Sequence, residues 1–268
     1  MNKEDLVSVI MPTYNAGKYL ADSINSILNQ SYKNLELLIT DDASTDPTTL
    51  QLLQEFASKD NRVDILYLKE NHGAGYARNQ SIERAKGRYI AFCDSDDRWT
   101  TDKLEKQIAF MNKKKCALSC ASYIIFDGET QNEIGFCTAP KKITYGMMKR
   151  DNKVGCLTAI YDVQMLGRKF FMPTIRKRQD WALFLQIIRE CKVCYAYPDK
   201  PLAYYCMRRN SISSNKMSLM KYNIAVYKEI LGFHPIKANL YFFTLFLPTY
   251  GAKILKRKFD SYTFIHQK

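Results

Sequence analysis

Apolar and polar residues alternate in blocks along the first hundred positions, and these blocks predict alternating strands and helices. Four short, continuous apolar runs predict buried strands: residues 7–11, 35–40, 63–68 and 88–93. Three stretches between them predict helices: residues 17–30, 46–56 and 75–85. This order predicts an α/β fold with a Rossmann-like, mostly parallel sheet and helices on both of its faces.

The pattern is less regular after residue 97. Two more stretches predict helices: residues 101–111 and 180–191. Three apolar runs predict strands, and a further stretch predicts a hairpin or loop: residues 117–126, 155–161 and 201–207, and residues 129–142. The final residues, 217–268, are rich in aromatic side chains, and we expect them to be helical.

Charge is distributed unevenly between the two halves of the chain, whose net charge is +13. Residues 1–140 carry 16 Lys and Arg against 20 Asp and Glu, whereas residues 141–268 carry 24 against 7. The basic half should therefore face an anionic partner, such as nucleic acid, an acidic membrane surface or a diphosphate-bearing substrate. No recognised nucleic-acid motif accompanies the charge, so we expect no nucleic-acid partner.

The chain opens on polar and acidic residues, whereas a secretory signal opens on basic residues and a longer apolar stretch. Its eight cysteines are scattered, several of them in apolar surroundings. We therefore expect a cytoplasmic protein.

Polar segments follow each of the four N-terminal strands: residues 12–15, 41–44, 71–73 and 94–97. The carboxyl ends of parallel strands share one edge of a sheet, where ligands of open α/β folds bind. A tyrosine in such a loop can stack on a base, and an aspartate can accept hydrogen bonds from base or ribose groups. The sequence thus predicts a binding site at this edge.

Asp94, Ser95, Asp96 and Asp97 place three carboxylates within four residues. Like charges this close repel each other unless a cation neutralises them. Mg²⁺ or Mn²⁺, held through one or two carboxylates and substrate phosphates, would do so. The alternative is an acidic helix cap before Thr101, which needs a single Asp.

Five segments together resemble glycosyltransferase family 2, whose catalytic domain has the GT-A fold. They are VSVIMPTYN at 7–15, LITDDASTD at 38–46, NHGAGYARN at 71–79, AKGRYIAFCDSDD at 85–97 and QDW at 179–181. The similarity covers residues 6 to about 216 and is greatest to bacterial enzymes that build cell-surface polysaccharides. Gln179 stands where the family usually has an acidic residue, and Cys206 where it often has an arginine.

The resemblance implies roles for individual residues. Asp96 would bind the metal, Mn²⁺ or Mg²⁺, and Asp180 would be the general base. The residues implied in nucleotide and donor binding are Pro12, Tyr14, Asn15, Asp42, Arg78, Asn79, Asp94, Ser95, Arg208 and Arg209. Asp180 has an alternative role, because an acidic residue in a first helical turn stabilises the helix by about 0.3–1 kcal/mol.

By the same resemblance, the chain is expected to be an inverting, metal-dependent hexosyl- or N-acetylhexosaminyltransferase. The donor would be a nucleotide-diphosphate sugar, with UDP expected, and the acceptor a saccharide hydroxyl, with a polyprenyl-diphosphate carrier, in O-antigen or capsule assembly. Residues 1–97 would bind the nucleotide sugar, 98–216 would form the acceptor-binding and catalytic half, and 217–268 a basic, aromatic segment. Alternatives are a nucleotidyltransferase that makes a nucleotide sugar and a non-catalytic nucleotide-sugar binder.

The C-terminal segment contains an eleven-residue apolar run, residues 240–250, followed by the basic residues 253–258. Spanning a bilayer takes about 20 apolar residues, so this run predicts a peripheral contact with the anionic inner membrane surface. The alternative is a helix packed on the catalytic domain or a dimer contact.

Overall fold

The computed structural model describes residues 5–208 and 216–266. The strands are β1 (Val7–Thr13), β2 (Leu35–Asp41), β3 (Val63–Tyr67), β4 (Tyr89–Phe92), β5 (Arg98–Trp99), β6 (Leu118–Ala121), β7 (Tyr123–Asp127), β8 (Glu133–Cys137), β9 (Lys142–Thr144), β10 (Ile160–Asp162), β11 (Val193–Tyr197) and β12 (Ala203–Met207). The helices are α1 (Tyr19–Leu28), α2 (Pro47–Lys59), α3 (Ala74–Arg84), α4 (Lys103–Lys114), α5 (Tyr145–Arg150), α6 (Val163–Leu166), α7 (Gln179–Cys191), α8 (Lys216–Ala225), α9 (Pro235–Tyr241) and α10 (Leu247–His266). Each of the seven elements predicted before residue 97 is present.

The main sheet has eight strands in the order β3-β2-β1-β4-β10-β6-β11-β9. Its first four strands are parallel, which confirms the predicted α/β fold. Strand β10 runs antiparallel to both of its neighbours, and β9 runs antiparallel to β11. The sheet is therefore mixed beyond β4. Apolar runs predict buried strands without fixing their direction, so this reversal is not visible in the pattern.

A second sheet of four strands, in the order β5-β12-β7-β8, lies beside the main one. The single strand predicted at 117–126 is wrong, because the chain leaves the main sheet after β6 and enters the second sheet as β7. Ser122, between them, accepts the Leu202 N–H on its carbonyl at 3.1 Å and the Ala139 N–H on its hydroxyl at 3.0 Å. Residues 129–142, predicted as a hairpin or loop, contain the turn and the second strand of an antiparallel hairpin whose first strand is β7.

The strand predicted at 155–161 is also wrong in its first half. Residues Cys156–Thr158 form a 3₁₀ turn, and the strand β10 starts only at Ile160. The Thr158 side chain donates a hydrogen bond to the Gly155 carbonyl at 3.0 Å and thereby closes the turn. A short apolar run does not distinguish a buried turn from a buried strand.

Two apolar clusters lie on opposite faces of the main sheet. Successive side chains of a strand point to opposite faces. Val9 and Met11 of β1 therefore join Leu20 and other residues of α1, whereas Ile10 joins the cluster that contains Phe184 of α7. Helices cover both faces of the sheet, as predicted.

The C-terminal helices pack against α7 and then cross the second sheet. The Trp181 ring lies 5.7 Å from Tyr227 and 5.6 Å from Phe246, measured between ring centroids. Further along the chain, Phe264 of α10 stacks on Phe136 of β8 at 5.2 Å. Part of the aromatic run at 240–250 is therefore core, which explains why the segment is apolar without being long enough to span a bilayer.

Candidate active site

Asn15 ties the loop after β1 to the loop after β2. Its side-chain Oδ1 accepts hydrogen bonds from the backbone N–H groups of Thr45 and Asp46 at 2.8 and 2.9 Å, and its own N–H donates to the Ser44 hydroxyl at 2.9 Å. The backbone of Asn15 has a φ of +46°, a region that Asn tolerates better than most residues. This turn leaves the Tyr14 side chain 52% exposed at the edge of the sheet, two residues after the buried Pro12.

Asp42 ties the loop after β2 to the loop after β3. Its two carboxylate oxygens accept the N–H groups of His72 and Gly73 at 2.8 and 2.7 Å, and the residue is buried. A carboxylate has about four lone-pair positions, so these two bonds leave acceptor capacity for a ligand. The predicted contact of Asp42 with a nucleotide base stays a prediction, alongside this bridging role.

The three carboxylates that follow β4 have three different partners. Asp94 accepts a hydrogen bond from Nη2 of Arg78 at 2.5 Å, and Asp96 forms an ion pair with Arg208. Asp97 is buried and accepts the Cys206 N–H at 2.9 Å. Asp97 therefore belongs to the scaffold that joins β4 to β12, whereas Asp94 and Asp96 face the partly exposed cleft, with Ser95 between them.

Burial raises the pKa of Asp96 above its ordinary value, and the neighbouring Asp94 adds to the shift while Arg208 opposes it. The same two causes, burial and repulsion from Asp96 and Asp94, raise the pKa of Asp97 well above the ordinary value. Three carboxylates stand against two arginines, so the cluster keeps a net negative charge when all three are ionised. Such a site favours an additional cation.

The residues present fit a divalent ion that is shared with a substrate. The side chains of Asp94 and Asp96 are 35% and 18% exposed and offer hard oxygen ligands. Within residues 5–208 and 216–266, no group of three or more His, Cys, Asp or Glu side chains is arranged to hold a metal. Mg²⁺ and similar ions are usually bound by one or two carboxylates together with substrate phosphates rather than by a complete protein cage.

Asp180 lies in the first turn of α7 and is not the cap of that helix. The cap residue is Arg178, whose backbone is left-handed with a φ of +68° and whose Nε donates to Asn223 at 2.7 Å. The Asp180 carboxylate instead accepts a hydrogen bond from Nδ2 of Asn152 at 2.9 Å. It is partly exposed, so it remains available to a ligand.

Arg78 pairs with Asp94 after β4, and the carboxylate of Asp180 at the start of α7 is near enough to act on its charge. Burial lowers the pKa of Arg78, but the charges of Asp94 and Asp180 outweigh it and raise the pKa above the ordinary value. The Cys156 thiol lies in the same group, since its pKa is raised by burial and by both carboxylates while Arg78 opposes the shift. The structure thus brings together Arg78, Asp94 and Asp180, three residues that are far apart in the sequence.

Helix α3 and the segment that leads into α7 are joined by hydrogen bonds and close packing beside Arg78, Asp94 and Asp180. The Asn79 side chain forms two hydrogen bonds with the Met172 backbone, at 2.7 and 2.8 Å. A Cβ on Gly75 would lie 2.4 Å from the side-chain amide of Gln179. Gln179, which replaces the acidic residue usual in the family, therefore packs directly on the Gly75 backbone.

Arg208 closes the cleft from the end of β12. Its guanidinium pairs with Asp96 and lies 5.3 Å from the centroid of the Tyr19 ring. Arg209, the second predicted arginine, lies outside the described residues.

A cavity of about 490 Å³ lies elsewhere, lined by residues that include Lys114, Cys116, Cys191 and Tyr195. It is at the C-terminal ends of α4 and α7, whereas Asp180 is in the first turn of α7. A helix of this length spans roughly 20 Å. None of the predicted site residues lines this cavity, so it is separate from the carboxylate cleft.

Comparisons with known proteins identify the family of this chain. The family model described as glycosyl transferase family 2 matches residues 8–171, more than half of the chain. The chain belongs to glycosyltransferase family 2. This membership favours neither of the two alternatives, a nucleotidyltransferase or a non-catalytic binder.

Two relatives align over most of their length. TuaG of Bacillus subtilis, named as a putative teichuronic acid biosynthesis glycosyltransferase, is 42% identical over 238 residues, which is 89% of this chain and 93% of TuaG. WfgD of Escherichia coli is 38% identical over 216 residues, 81% of this chain and 83% of WfgD. Its name describes a UDP-Glc:α-D-GlcNAc-diphosphoundecaprenol β-1,3-glucosyltransferase.

Solved structures share the fold. TarS of Staphylococcus aureus, in complex with UDP-GlcNAc, superposes with a TM-score of 0.65 at 21% identity, over 88% of this chain and 70% of TarS. A mannosyltransferase of Pyrobaculum calidifontis, in complex with GDP-Man and Mn²⁺, gives 0.65 at 17% identity, over 95% of this chain and 75% of that one. These similarities confirm the GT-A fold.

Sequence reasoning did not find Asn152, Cys156 or Met172 as members of the site. They lie in segments with no motif of their own, and only long-range packing brings them to the cleft.

In the described part of the chain, no helix combines the length and apolar content needed to cross a membrane.

Proposed function

We propose that this family 2 enzyme transfers a hexosyl or N-acetylhexosaminyl group from a UDP-sugar to a hydroxyl of a polyprenyl-diphosphate-linked saccharide, with inversion at the anomeric carbon. The observation that supports the proposal most is the ion pair of Arg78 with Asp94, together with the charge of Asp180 that also acts on Arg78, because donor and acceptor carboxylates would then share one cleft. The names of TuaG and WfgD support the remainder, because both relatives belong to surface-polysaccharide synthesis or use a lipid-diphosphate acceptor.

The donor would lie along the carboxyl ends of the parallel strands. Tyr14 has an exposed ring on which a base can stack, with Pro12 and Asn15 shaping its loop and Asp42 accepting a hydrogen bond from the base. Asp94 and Ser95 would contact ribose or sugar hydroxyls. Arg78, Arg208 and Arg209 would be the cations that bind the diphosphate.

Asp96, with Asp94 beside it, would hold Mn²⁺ or Mg²⁺ together with the donor phosphates. When bound, such an ion supplies Lewis-acid stabilisation of the leaving diphosphate. Arg208 pairs with Asp96 and offsets its charge. A cation at Asp96 would free Arg208, which could then bind a phosphate oxygen through its planar fork of N–H donors.

Asp180 would accept the proton of the acceptor hydroxyl as that oxygen attacks the anomeric carbon. A positioned general base contributes roughly 10²–10⁴-fold to a rate. Inversion follows because the attacking hydroxyl and the leaving diphosphate lie on opposite faces of the sugar in a single displacement. Residues 1–97 would then serve the donor and residues 98–216 the acceptor.

The C-terminal segment, residues 217–268, would contact the cytoplasmic face of the membrane that carries the acceptor. Exposed apolar side chains recur every three or four residues in two stretches of the C-terminal helical segment, one from 236 to 247 and one from 255 to 262. They are Ile236, Leu240, Phe243, Leu247, Leu255, Phe259 and Tyr262. Lys256, Arg257 and Lys258 are exposed beside them. Apolar side chains next to clustered cations suit an anionic lipid surface.

The test is a transfer assay with a panel of nucleotide sugars, a lipid-diphosphate saccharide acceptor, and Mn²⁺ or EDTA. We expect metal-dependent release of UDP with formation of one glycosylated product. Asp180→Asn should fold normally and lose at least about 10²-fold in kcat, because the proton acceptor is removed. Release of pyrophosphate instead of UDP, or near-normal turnover by Asp180→Asn, would contradict the proposal.

A further inference from the structure

The turn formed by Asp151, Asn152 and Val154 contacts Asp180 through one hydrogen bond whose direction is fixed. Nδ2 of Asn152 donates to Oδ2 of Asp180 at 2.9 Å, while Oδ1 of Asn152 accepts the Val154 N–H at 3.1 Å. A backbone N–H can only donate, so the amide oxygen must face Val154 and the amide nitrogen must face the carboxylate. The two hydrogen bonds therefore fix the orientation of the Asn152 side-chain amide.

The bond occupies only one oxygen of Asp180. Among the described residues, no side chain or backbone N–H donates to Oδ1 of this carboxylate. Oδ1 is thus the oxygen left to accept a proton. A base fixed by one oxygen, with the other presented to the cleft, has the arrangement that general-base catalysis requires.

Helix α10 of the C-terminal segment holds this turn in place. Lys253 of α10 donates to the Asn152 carbonyl at 2.6 Å and pairs with the Asp151 carboxylate at 2.9 Å. Asp151 is buried and also pairs with Lys153 at 3.0 Å. Removal of the Lys253 ammonium would take away one of the two cations beside buried Asp151 and the donor to the Asn152 carbonyl, so it should disturb this turn.

We infer that Asn152 is a positioning residue for the proposed base Asp180, and that Lys253 of the C-terminal helix keeps Asn152 in place. The inference rests on the proposed function, because it assigns the Asn152 amide to the orientation of that base. It also connects the segment proposed to contact the membrane with the acceptor side of the cleft through two residues. A misplacement of a reacting group by about 1 Å can cost on the order of 10²-fold in rate, so loss of this hydrogen bond should appear in kcat.

The test compares Asn152→Ala, the isosteric Asn152→Asp and Lys253→Met with the wild type, using a water-soluble acceptor so that membrane contact plays no part. We expect Asn152→Ala to lower kcat by about 10–100-fold, with the Kd for UDP and the KM for the donor changed by less than about threefold. Asn152→Asp should be worse, because it sets two carboxylates side by side. Lys253→Met should lower kcat by a smaller factor, and Lys253→Arg should restore most of it.

Two matched controls separate positioning from general damage. Lys200 shares the carboxylate of Asp102 with Lys106, as Lys253 shares Asp151 with Lys153. Lys200→Met therefore removes one of two lysines from a similar but more exposed group outside the cleft. Asn61→Ala removes an exposed asparagine. Both should keep kcat within about twofold of the wild type.

The double variant Asp180→Asn/Asn152→Ala distinguishes the two proposals. If Asn152 acts through Asp180, adding Asn152→Ala to Asp180→Asn should cause little further loss of kcat. If Asp180→Asn keeps near-normal turnover, the proposed base is wrong. If Asp180→Asn is inactive but Asn152→Ala keeps wild-type kcat, or lowers Tm and donor affinity in step with kcat, only the positioning inference is overturned.

Discussion

At the scale of single residues, Lys103 is unusual because burial removes its ammonium group from water without supplying an acceptor. The side chain is fully buried, none of the described residues accepts a hydrogen bond from Nζ, and Nζ lies 4.1 Å from the centroid of the Trp99 ring. Burial lowers the pKa of Lys103 to about 7, and the nearby Cys93 thiol acts in the opposite direction. A buried lysine with such a pKa makes stability depend on pH.

The sign of that dependence follows from proton binding. The ordinary lysine pKa is about 10.4, so between about pH 7 and pH 10 the unfolded chain binds a proton at Lys103 that the folded chain does not. Stability therefore rises with pH across this window and is lowest below it. We expect the wild type to gain roughly 1–2 kcal/mol more than Lys103→Met between pH 7 and pH 9, measured by urea unfolding. Parallel pH dependences of the two proteins would show that Lys103 does not titrate in the fold.

The sequence predicts those residues of the carboxylate cleft that come shortly after a strand. Asp94, Asp96 and Arg78 lie in or beside loops at the ends of parallel strands, and strand order alone brings such loops together. Asn152 was not predictable in this way. Its place beside Asp180 depends on α7 packing over the sheet and on Lys253, about a hundred residues later, reaching back to the turn. The sequence pattern carries no signal of either contact.

At the scale of elements, one glycine decides how closely β4 approaches β1. A Cβ on Gly87 would lie 2.7 Å from both the Leu6 carbonyl and the Ser8 backbone nitrogen. These are backbone atoms of the central strand region, so they cannot rotate away. Gly87 also donates its N–H to the Ser8 hydroxyl at 2.8 Å. The parallel pairing that sets the carboxylates at the end of β4 therefore requires a glycine at its start.

We expect Gly87→Ala to destabilise the protein by about 1–3 kcal/mol, because overpacking forces the backbone of β4 away from β1. Gly146→Ala is the matched control, since its Cβ would meet only the Thr144 hydroxyl at 3.8 Å and an alanine is favourable in α5. Urea unfolding of both variants measures the difference. An equal stability for Gly87→Ala and the wild type would show that the strands can separate at no cost.

The apolar pattern predicts some of the strands and helices correctly and others not. The regular βαβ units before residue 97 follow from apolar periodicity because β1, β2 and β4 are almost wholly buried, apolar strands. The segment at 117–126 is equally apolar, yet it serves two sheets, since β6 pairs with β11 and β7 with β12. Periodicity along the chain reports burial and not the identity of the partner strand. The change of sheet at Ser122 therefore becomes visible only in three dimensions.

At the scale of the whole molecule, charge and exposed apolar area coincide at the C-terminal helices. Residues 141–268 carry 24 Lys and Arg against 7 Asp and Glu, and α10 exposes Leu255, Phe259 and Tyr262. Phe242 and Phe246 of the same segment are buried against α7. The segment thus has one face committed to the catalytic core and another that is apolar, exposed and bordered by cations, which is the division expected of a surface that rests on lipid.

The triple variant Lys256→Gln, Arg257→Gln and Lys258→Gln tests this surface. Each cation near an anionic membrane contributes about 1 kcal/mol, so removing three should weaken binding to phosphatidylglycerol vesicles by about 100-fold at low salt. Raising the salt concentration should weaken the wild type toward the variant, because screening shortens the range of the attraction. Co-sedimentation with vesicles measures both effects.

The matched control replaces Lys113, Lys114 and Lys115, three consecutive exposed lysines at the end of α4, with glutamine. It removes the same charge from a surface without the apolar stripe, so it should leave vesicle binding within a few-fold of the wild type. Both triple variants should transfer sugar to a water-soluble acceptor at the wild-type rate. Equal weakening by the two variants would mean that net charge alone attracts the protein to lipid, and that the C-terminal helices are not the surface that contacts the membrane.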